Sequence, residues 1–75
     1  MRRTLSGIPF IIHSPSHYEV AAYDDGSAIA RADLRFDGHW WRLYVQMKRG
    51  HTVTRDFISL QAAIDLLSYR REATA

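Results

Sequence analysis

Residues 28–47 read AIARADLRFDGHWWRLYVQM, two runs of alternating apolar and polar residues joined by Asp37-Gly38. Asp-Gly between such runs predicts a β-hairpin with a two-residue turn, because a type I′ turn needs positive φ at both central positions. This turn would place Phe36 opposite His39 and Arg35 opposite Trp40. The segment therefore predicts the central hairpin of an antiparallel sheet.

The alternation sorts this hairpin into two faces, since side chains of a strand point to opposite sides in turn. One face would be apolar and would contain Ala28, Ala30, Ala32, Leu34, Phe36, Trp41, Leu43, Val45 and Met47. The other would carry Ile29, Arg31, Asp33, Arg35, Trp40, Arg42, Tyr44 and Gln46. The apolar face should point toward the core, and the mixed face is where function is expected.

The turn before the hairpin extends the same two faces. A three-residue loop at Asp24-Asp25-Gly26, with Gly26 in the left-handed region, would bring Glu19 opposite Arg31 on the mixed face. Tyr23 would lie on that face too. A two-residue loop would instead place Glu19 on the apolar face, so the longer loop is favoured.

Further strands are expected on both sides of this meander. A three-residue loop at Lys48-Arg49-Gly50 would align Val53 with Val45 and begin a fourth strand over residues 51–55. Residues 8–12, Ile-Pro-Phe-Ile-Ile, indicate a short additional strand whose pairing partner the pattern leaves open.

From Ser59 the apolar period changes from two to about 3.6, which indicates an amphipathic helix with Ser59 as its N-cap. Its inward residues would be Leu60, Ala63, Ile64 and Leu67. This helix must cover the apolar face of the sheet. The expected fold is α+β: an antiparallel β-sheet meander of three to five strands packed on one C-terminal α-helix. We expect one domain over residues 1–75, with residues 1–7 and 72–75 frayed.

Composition narrows the classes of function. Ten Lys and Arg against eight Asp and Glu give a net charge of only +2, and the acids are interleaved with the bases. Affinity for duplex DNA comes largely from neutralising phosphates, so this balance is poor for a DNA binder. There is no cysteine, and the longest apolar run, at residues 8–12, is too short to cross a bilayer. We therefore expect a cytoplasmic location.

Catalytic and metal-binding patterns are scarce. No serine lies in a G-x-S-x-G elbow, and no glycine-rich phosphate-binding loop occurs. His13 and His17 are four residues apart but straddle Pro15, while His39 and His51 belong to other corners of the expected sheet. We expect no enzyme activity, no cofactor and no metal.

The mixed face supplies the candidate binding residues: Glu19, Arg31, Asp33, Arg35, Trp40, Arg42 and Tyr44. In the expected register Arg35 lies over Trp40, Arg31 over Tyr44, Asp33 pairs with Arg42, and Glu19 pairs with Arg31. One interpretation is that this face only stabilises the fold, with each cross-strand pair contributing about 0.2–1 kcal/mol. Sheet stability does not call for an exposed tryptophan, however, whereas Trp, Tyr and Arg dominate binding hot spots.

The segment FDGHWWRLYV at residues 36–45, followed by Gly50, Phe57, Ser59 and Ala63, resembles AP2-type and integrase arm-type DNA-binding domains. That resemblance implies DNA binding by the same sheet face, in the major groove.

In size and build the whole chain resembles the small phage-encoded anti-CRISPR proteins, single sheet-plus-helix domains without catalytic residues. This second resemblance implies a non-catalytic docking module that inhibits a bacterial nucleic-acid-handling complex by blocking its target-DNA surface. The partner would be a larger bacterial protein or ribonucleoprotein complex rather than a membrane, with direct DNA binding as the alternative. A homodimer formed through a sheet edge, at residues 8–12 or at the strand from His51, is a third possibility.

Overall fold

Six strands and one helix form the computed structural model, which describes residues 1–23, 26 and 28–73, with side chains as far as Ser68. The elements are β1 (Arg2–Leu5), β2 (Ile8–Ser14), β3 (His17–Val20), β4 (Ile29–Phe36), β5 (Trp41–Met47), β6 (Thr52–Phe57) and α1 (Leu60–Ala73). Each strand pairs antiparallel with the next in one sheet of order β1-β2-β3-β4-β5-β6. The α+β meander with a C-terminal helix is confirmed, and the expected number of three to five strands is wrong.

The extra strand comes from the N-terminal hairpin. Leu5 pairs with Ile8, and the two residues between them, Ser6 and Gly7, have φ angles of 51° and 77°. Positive φ at both positions is the signature of a type I′ turn. Residues 1–7 were expected to be frayed, whereas Arg2–Leu5 forms β1. Of residues 72–75, the first two belong to α1 and the last two lie outside the described residues.

The central hairpin turns one residue later than expected. Phe36 pairs with Trp41 instead of His39, and the N–H of Asp37 donates to the carbonyl of Trp40 at 3.1 Å. Gly38 has φ 104° and His39 has no positive φ, the pattern of a type II′ turn. Because the register moves by an even number of residues, the residues from Arg31 to Met47 stay on their predicted faces. The predicted pairs are wrong, and the predicted faces are confirmed from Arg31 onward.

The pairing of β3 with β4 shifts in the same way. Glu19 lies opposite Asp33 rather than Arg31, and Tyr18 lies opposite Leu34. The predicted loop falls partly on Asp24 and Asp25, which lie outside the described residues, while Gly26 has the expected positive φ. Again the shift is even, so Glu19 remains on the mixed face.

A bulge at the start of β4 reverses part of the predicted pattern. The register slips between Ile29 and Arg31, so that Ile29 pairs with Met47 while Arg31 pairs with Gln46. An extra residue in one strand flips the residues before it to the other side. Ile29 therefore packs against the core, whereas Ala28 and Ala30, both expected inside, are exposed.

Tyr23 is also on the other side of the sheet from its predicted place. It was expected on the mixed face, but its ring packs against the core. Its hydroxyl bonds to the backbone of Val20 and Ala32, beyond the last residue of β3.

The last hairpin and the helix follow the prediction closely. Val53 pairs with Val45, as the three-residue loop requires. The Ser59 hydroxyl accepts from the N–H of Ala62 at 3.2 Å, so Ser59 is the N-cap of α1. The core between sheet and helix consists of Ile8, Phe10, Val20, Ala32, Leu34, Leu43, Ala63, Ile64 and Leu67. The helix thus covers one face of the sheet and leaves the mixed face outside.

Candidate functional site

The sheet face opposite the helix is the mixed face of the sequence prediction and is called the polar face from here on. It carries six of the seven predicted binding residues. They are Glu19 on β3, Arg31, Asp33 and Arg35 on β4, and Arg42 and Tyr44 on β5. The seventh, Trp40, lies just before β5 and opposite Asp37, where alternation along the hairpin places it at the end of the same face. The structure therefore brings the predicted residues to one surface.

Asp33 is the buried centre of the polar face, with only 9% of its surface exposed. Its Oδ2 lies 3.9 Å from Nη2 of Arg31 and 3.7 Å from Nη2 of Arg35, the neighbours two residues away on the same strand face. Its Oδ1 lies 3.6 Å from Nε2 of His17, and neither of these two buried atoms has a hydrogen-bond partner among the described residues. The centre of the face is thus charged but loosely paired.

Two histidines that the sequence analysis considered only as metal ligands, His13 and His17, complete one side of this face. His13 Nε2 lies 2.8 Å from Oε1 of Glu19, and the rings of His13 and His17 stack with centroids 4.5 Å apart. The hydrogen bond with His13, helped by the charge of Arg31 at 3.6 Å, lowers the pKa of Glu19. The predicted pairing of Glu19 with Arg31 is confirmed.

The signal for this histidine pair was the spacing across Ser14-Pro15-Ser16, which becomes a hairpin turn with a bulge between Ile12 and Ser14. Cross-strand neighbours, not helical ones, bring the two rings together. Within the part of the chain that the structure describes, no three His, Cys, Asp or Glu side chains are grouped as a metal site would require.

Arg42 forms a bidentate ion pair with Asp56, a partner that was not predicted. Its Nε donates to Oδ1 of Asp56 at 2.7 Å and its Nη2 donates to Oδ2 at 3.2 Å, a bidentate pair across β5 and β6. This pair lowers the pKa of Asp56 and raises that of Arg42. The predicted pairing of Arg42 with Asp33 is wrong, because β6 continues past Arg55 and brings Asp56 directly opposite Arg42.

Arg31 and Arg35 differ from Arg42 in forming ion pairs without a hydrogen bond. Their side chains are 58% and 56% exposed, and their contacts with Glu19 and Asp33 are all 3.6 Å or longer, beyond ordinary hydrogen-bond distance. The predicted neighbours are wrong here as well, since Arg31 faces Gln46 and Arg35 faces Arg42. Within the described residues, the two guanidinium groups keep their N–H donors available.

These two arginines line a shallow depression of about 440 Å³ in the polar face. The remaining lining residues are Asp33, Tyr44, Gln46 and Thr52, all polar or able to hydrogen-bond. The depression therefore combines cationic donors with neutral donors and acceptors around one buried carboxylate.

Trp40 is held by its turn and still exposed. The Asp37 carboxylate accepts hydrogen bonds from the N–H groups of Trp40 at 2.8 Å and His39 at 2.9 Å, which lowers the pKa of Asp37. The Trp40 residue is 46% exposed. Its neighbour Trp41 packs on the core side against Tyr18, with ring centroids 5.6 Å apart. The fixed turn thus presents an indole ring that the core does not use.

No protein-family model matches the chain, and comparisons with curated proteins and with solved structures found no match. Within the described residues, no helix has the length and apolar character needed to cross a membrane.

Proposed function

We propose that this domain is a non-catalytic protein-docking module that binds through its polar face and inhibits a bacterial nucleic-acid-handling complex. The observation that carries the proposal is the contrast among the arginines. Arg42 has both carboxylate oxygens of Asp56 at 3.2 Å or less, while Arg31 and Arg35 hold uncommitted donors beside an exposed Trp40. A face that served only the stability of the sheet would be expected to hydrogen-bond all three.

The partner surface that fits this face is acidic at its centre. A carboxylate entering the depression could take hydrogen bonds from Arg31 and Arg35, and guanidinium groups match carboxylates with two parallel donors. The indole of Trp40 would supply apolar contact area at one end of the face, since an exposed tryptophan gains much from desolvation. Charged centre and aromatic anchor together suit a protein interface.

The acids on the same face favour a protein over a nucleic acid as the partner. Glu19, Asp33 and Asp56 lie among the arginines, so a continuous phosphate backbone would meet carboxylates along its path. A protein surface with mixed charge can place a cation against Glu19 and a carboxylate between the arginines. The net charge of +2 points the same way.

The class of partner rests on the resemblance in size and build to anti-CRISPR proteins. Small inhibitors of that kind occupy a surface that a larger complex needs for target DNA. A partner that binds phosphate presents basic groups, and the partly buried carboxylate of Glu19 could engage one of them. The proposed place of action is the bacterial cytoplasm.

The test is capture by tagged protein from a nuclease-treated bacterial lysate, followed by titration against the purified complex. Removing both arginines that lack hydrogen-bonded partners in Arg31→Ala/Arg35→Ala, or the anchor in Trp40→Ala, should weaken binding by at least about tenfold, since hot-spot truncations cost more than about 1–2 kcal/mol. Arg49→Ala, in the exposed β5–β6 turn, is the control that removes a positive charge elsewhere, and it should bind nearly as wild type.

Ionic strength separates protein docking from the DNA alternative. Affinity for DNA should fall steeply and log-linearly as salt rises, whereas docking through a few desolvated side chains should change much less. Equal binding by wild type, the double arginine variant and Trp40→Ala would exclude the polar face. Capture that disappears with nuclease would support the DNA-binding alternative instead.

A further inference from the structure

The outer edge of β6 presents unused backbone hydrogen-bonding groups. The N–H of Met47 donates to the carbonyl of His51 at 2.8 Å, so His51 and, by alternation, Val53, Arg55 and Phe57 direct their backbone toward β5. The backbone N–H and C=O groups of Thr52, Thr54 and Asp56 must then point away from the sheet. No further strand follows β6 in the described sheet. This edge is therefore a template for one more strand.

Apart from the charges of Arg55 and Asp56, β6 has none of the features that usually protect an edge. Its sequence, Thr-Val-Thr-Arg-Asp-Phe, has three β-branched residues at its start and contains no proline, no lysine and no bulge. Val53 is 42% exposed on the helix side, where it borders an apolar groove of about 290 Å³. An edge that is open and partly apolar favours pairing with another strand.

The opposite edge, β1, is unsuited to pairing with its own copy. Arg2 and Arg3 are adjacent there, so two antiparallel copies of β1 would bring four arginines together. In β6 the only charges are Arg55 and Asp56, which are opposite in sign. Charge repulsion thus disfavours the pairing of two β1 strands from different copies, whereas two β6 strands can pair without it.

We propose that two copies of this chain associate through antiparallel pairing of β6, with Thr54 of one copy opposite Thr54 of the other about a two-fold axis. This register uses every outward-facing backbone group of β6, because Thr52 then lies opposite Asp56 of the other copy. Centring the axis on Val53 or Arg55 would leave some of these groups unpaired, and the latter would also stack two arginines. The dimer joins the two sheets into one and leaves both polar faces open.

Side chains in this register are compatible on both sides of the sheet. On the polar face, the hydroxyl of Thr52 can donate to the Asp56 carboxylate of the other copy, and the two Thr54 side chains meet. On the helix side, Val53 lies opposite Arg55, whose aliphatic stem can cover the exposed valine. Because the interface is symmetric, the Thr52–Asp56 and Val53–Arg55 contacts each occur twice, and the Thr54–Thr54 contact occurs once on the axis.

The chain contains no cysteine, so single cysteines report this pairing directly. Thr54→Cys should form a disulfide-linked dimer under mild oxidation, because the Cα atoms of directly opposed residues lie about 5.5 Å apart, within disulfide range. Thr4→Cys, the same substitution at an exposed position of the β1 edge, is the matched control and should form no disulfide-linked dimer. Val53→Cys alone should cross-link poorly, since in this register it faces Arg55. Cross-linking of Thr4→Cys as readily as Thr54→Cys, or of Val53→Cys in preference, would overturn the proposed interface.

Sedimentation of the unmodified protein supplies an independent readout. Wild type should show a concentration-dependent mass approaching two chains, and Thr54→Lys should show a mass of one chain with an unchanged circular-dichroism spectrum. A wild-type mass of one chain at every concentration, or a dimer that persists in Thr54→Lys, would refute the proposal. Neither result bears on partner binding through the polar face.

Discussion

The hydroxyl of Tyr23 accepts a hydrogen bond from the backbone N–H of Ala32 at 2.7 Å and donates one to the carbonyl of Val20 at 3.2 Å. In the register of β3 and β4, Val20 and Ala32 are the next pair after Glu19 and Asp33, and alternation would have them exchange ladder hydrogen bonds. The tyrosine hydroxyl is inserted between them instead. It satisfies the backbone of the central strand where β3 ends, next to the bulge in β4.

Tyr23→Phe should therefore lower the free energy of unfolding by about 1–3 kcal/mol, the usual cost of leaving a buried backbone group without a partner. Urea unfolding followed by circular dichroism measures this. Tyr44→Phe, which removes a hydroxyl from the polar face, is the control and should change the value by less than about 0.5 kcal/mol. Equal effects of the two substitutions would mean that the Tyr23 hydroxyl bonds contribute nothing of their own.

The same tyrosine predicts a loss of stability at high pH. Burial raises the pKa of Tyr23 above its ordinary value of 10.0, so folding favours the neutral hydroxyl. A group whose pKa is raised on folding contributes stability that is fully present below its unfolded pKa and is lost as pH rises through the folded value. The stability difference between wild type and Tyr23→Phe should hold at neutral pH and shrink above pH 10. Urea unfolding of both proteins across that range tests it, and a difference that grows with pH would contradict it.

Ser6 offers a stabilising substitution at the N-terminal hairpin. Its φ of 51° lies in the left-handed region, which costs an ordinary L-residue about 1–2 kcal/mol and which asparagine adopts more easily. Ser6→Asn creates the Asn-Gly pair that type I′ turns prefer and should raise the free energy of unfolding by up to about 1 kcal/mol. Ser6→Val should lower it, because a β-branched residue is strained there. Thermal unfolding of the three proteins gives the order, and an inverted order would refute the assignment of the turn.

The side of the sheet on which each residue lies was predictable wherever apolar alternation was unbroken. Trp41, Leu43 and Val45 had to face inward whichever turn closed the hairpin, because any register with the opposite parity would have exposed them. Exact partners depended on turn details that composition does not reveal. The observed turn lies one residue later than predicted. In it the Asp37 carboxylate accepts hydrogen bonds from the N–H groups of His39 and Trp40.

Errors arose where the alternation was interrupted or its signal was weak. Ile29 was placed outside because a bulge has no signature in a run such as Ala-Ile-Ala-Arg. Ser6-Gly7 was not recognised as a hairpin turn, since serine is an uncommon first residue of a type I′ turn. At the candidate site, the residues of the face were predicted but one of their partners was missed. The Arg42–Asp56 pair could be predicted only if β6 was known to extend to Phe57.

Substitution of the two adjacent tryptophans should lower the free energy of unfolding by very different amounts. Trp41 contacts the rings of Tyr18 and Phe36, at centroid distances of 5.6 Å and 5.2 Å, so Trp41→Ala should cost about 3 kcal/mol of unfolding free energy. Trp40→Ala removes an exposed ring and should cost less than about 1 kcal/mol, because its turn is held through backbone N–H groups that alanine retains.

Fluorescence distinguishes the same two rings without relying on stability. Trp41→Phe leaves Trp40 as the only tryptophan, and its emission should be red-shifted and strongly quenched by acrylamide, since the residue is 46% exposed. Trp40→Phe leaves Trp41, which should emit at shorter wavelength and be quenched less because aromatic neighbours shield it. Any partner that uses Trp40 as an anchor should protect the first variant from quenching on binding. Protection of the second variant alone would mean that the partner reaches the aromatic cluster on the helix side, and the polar face would lose its anchor.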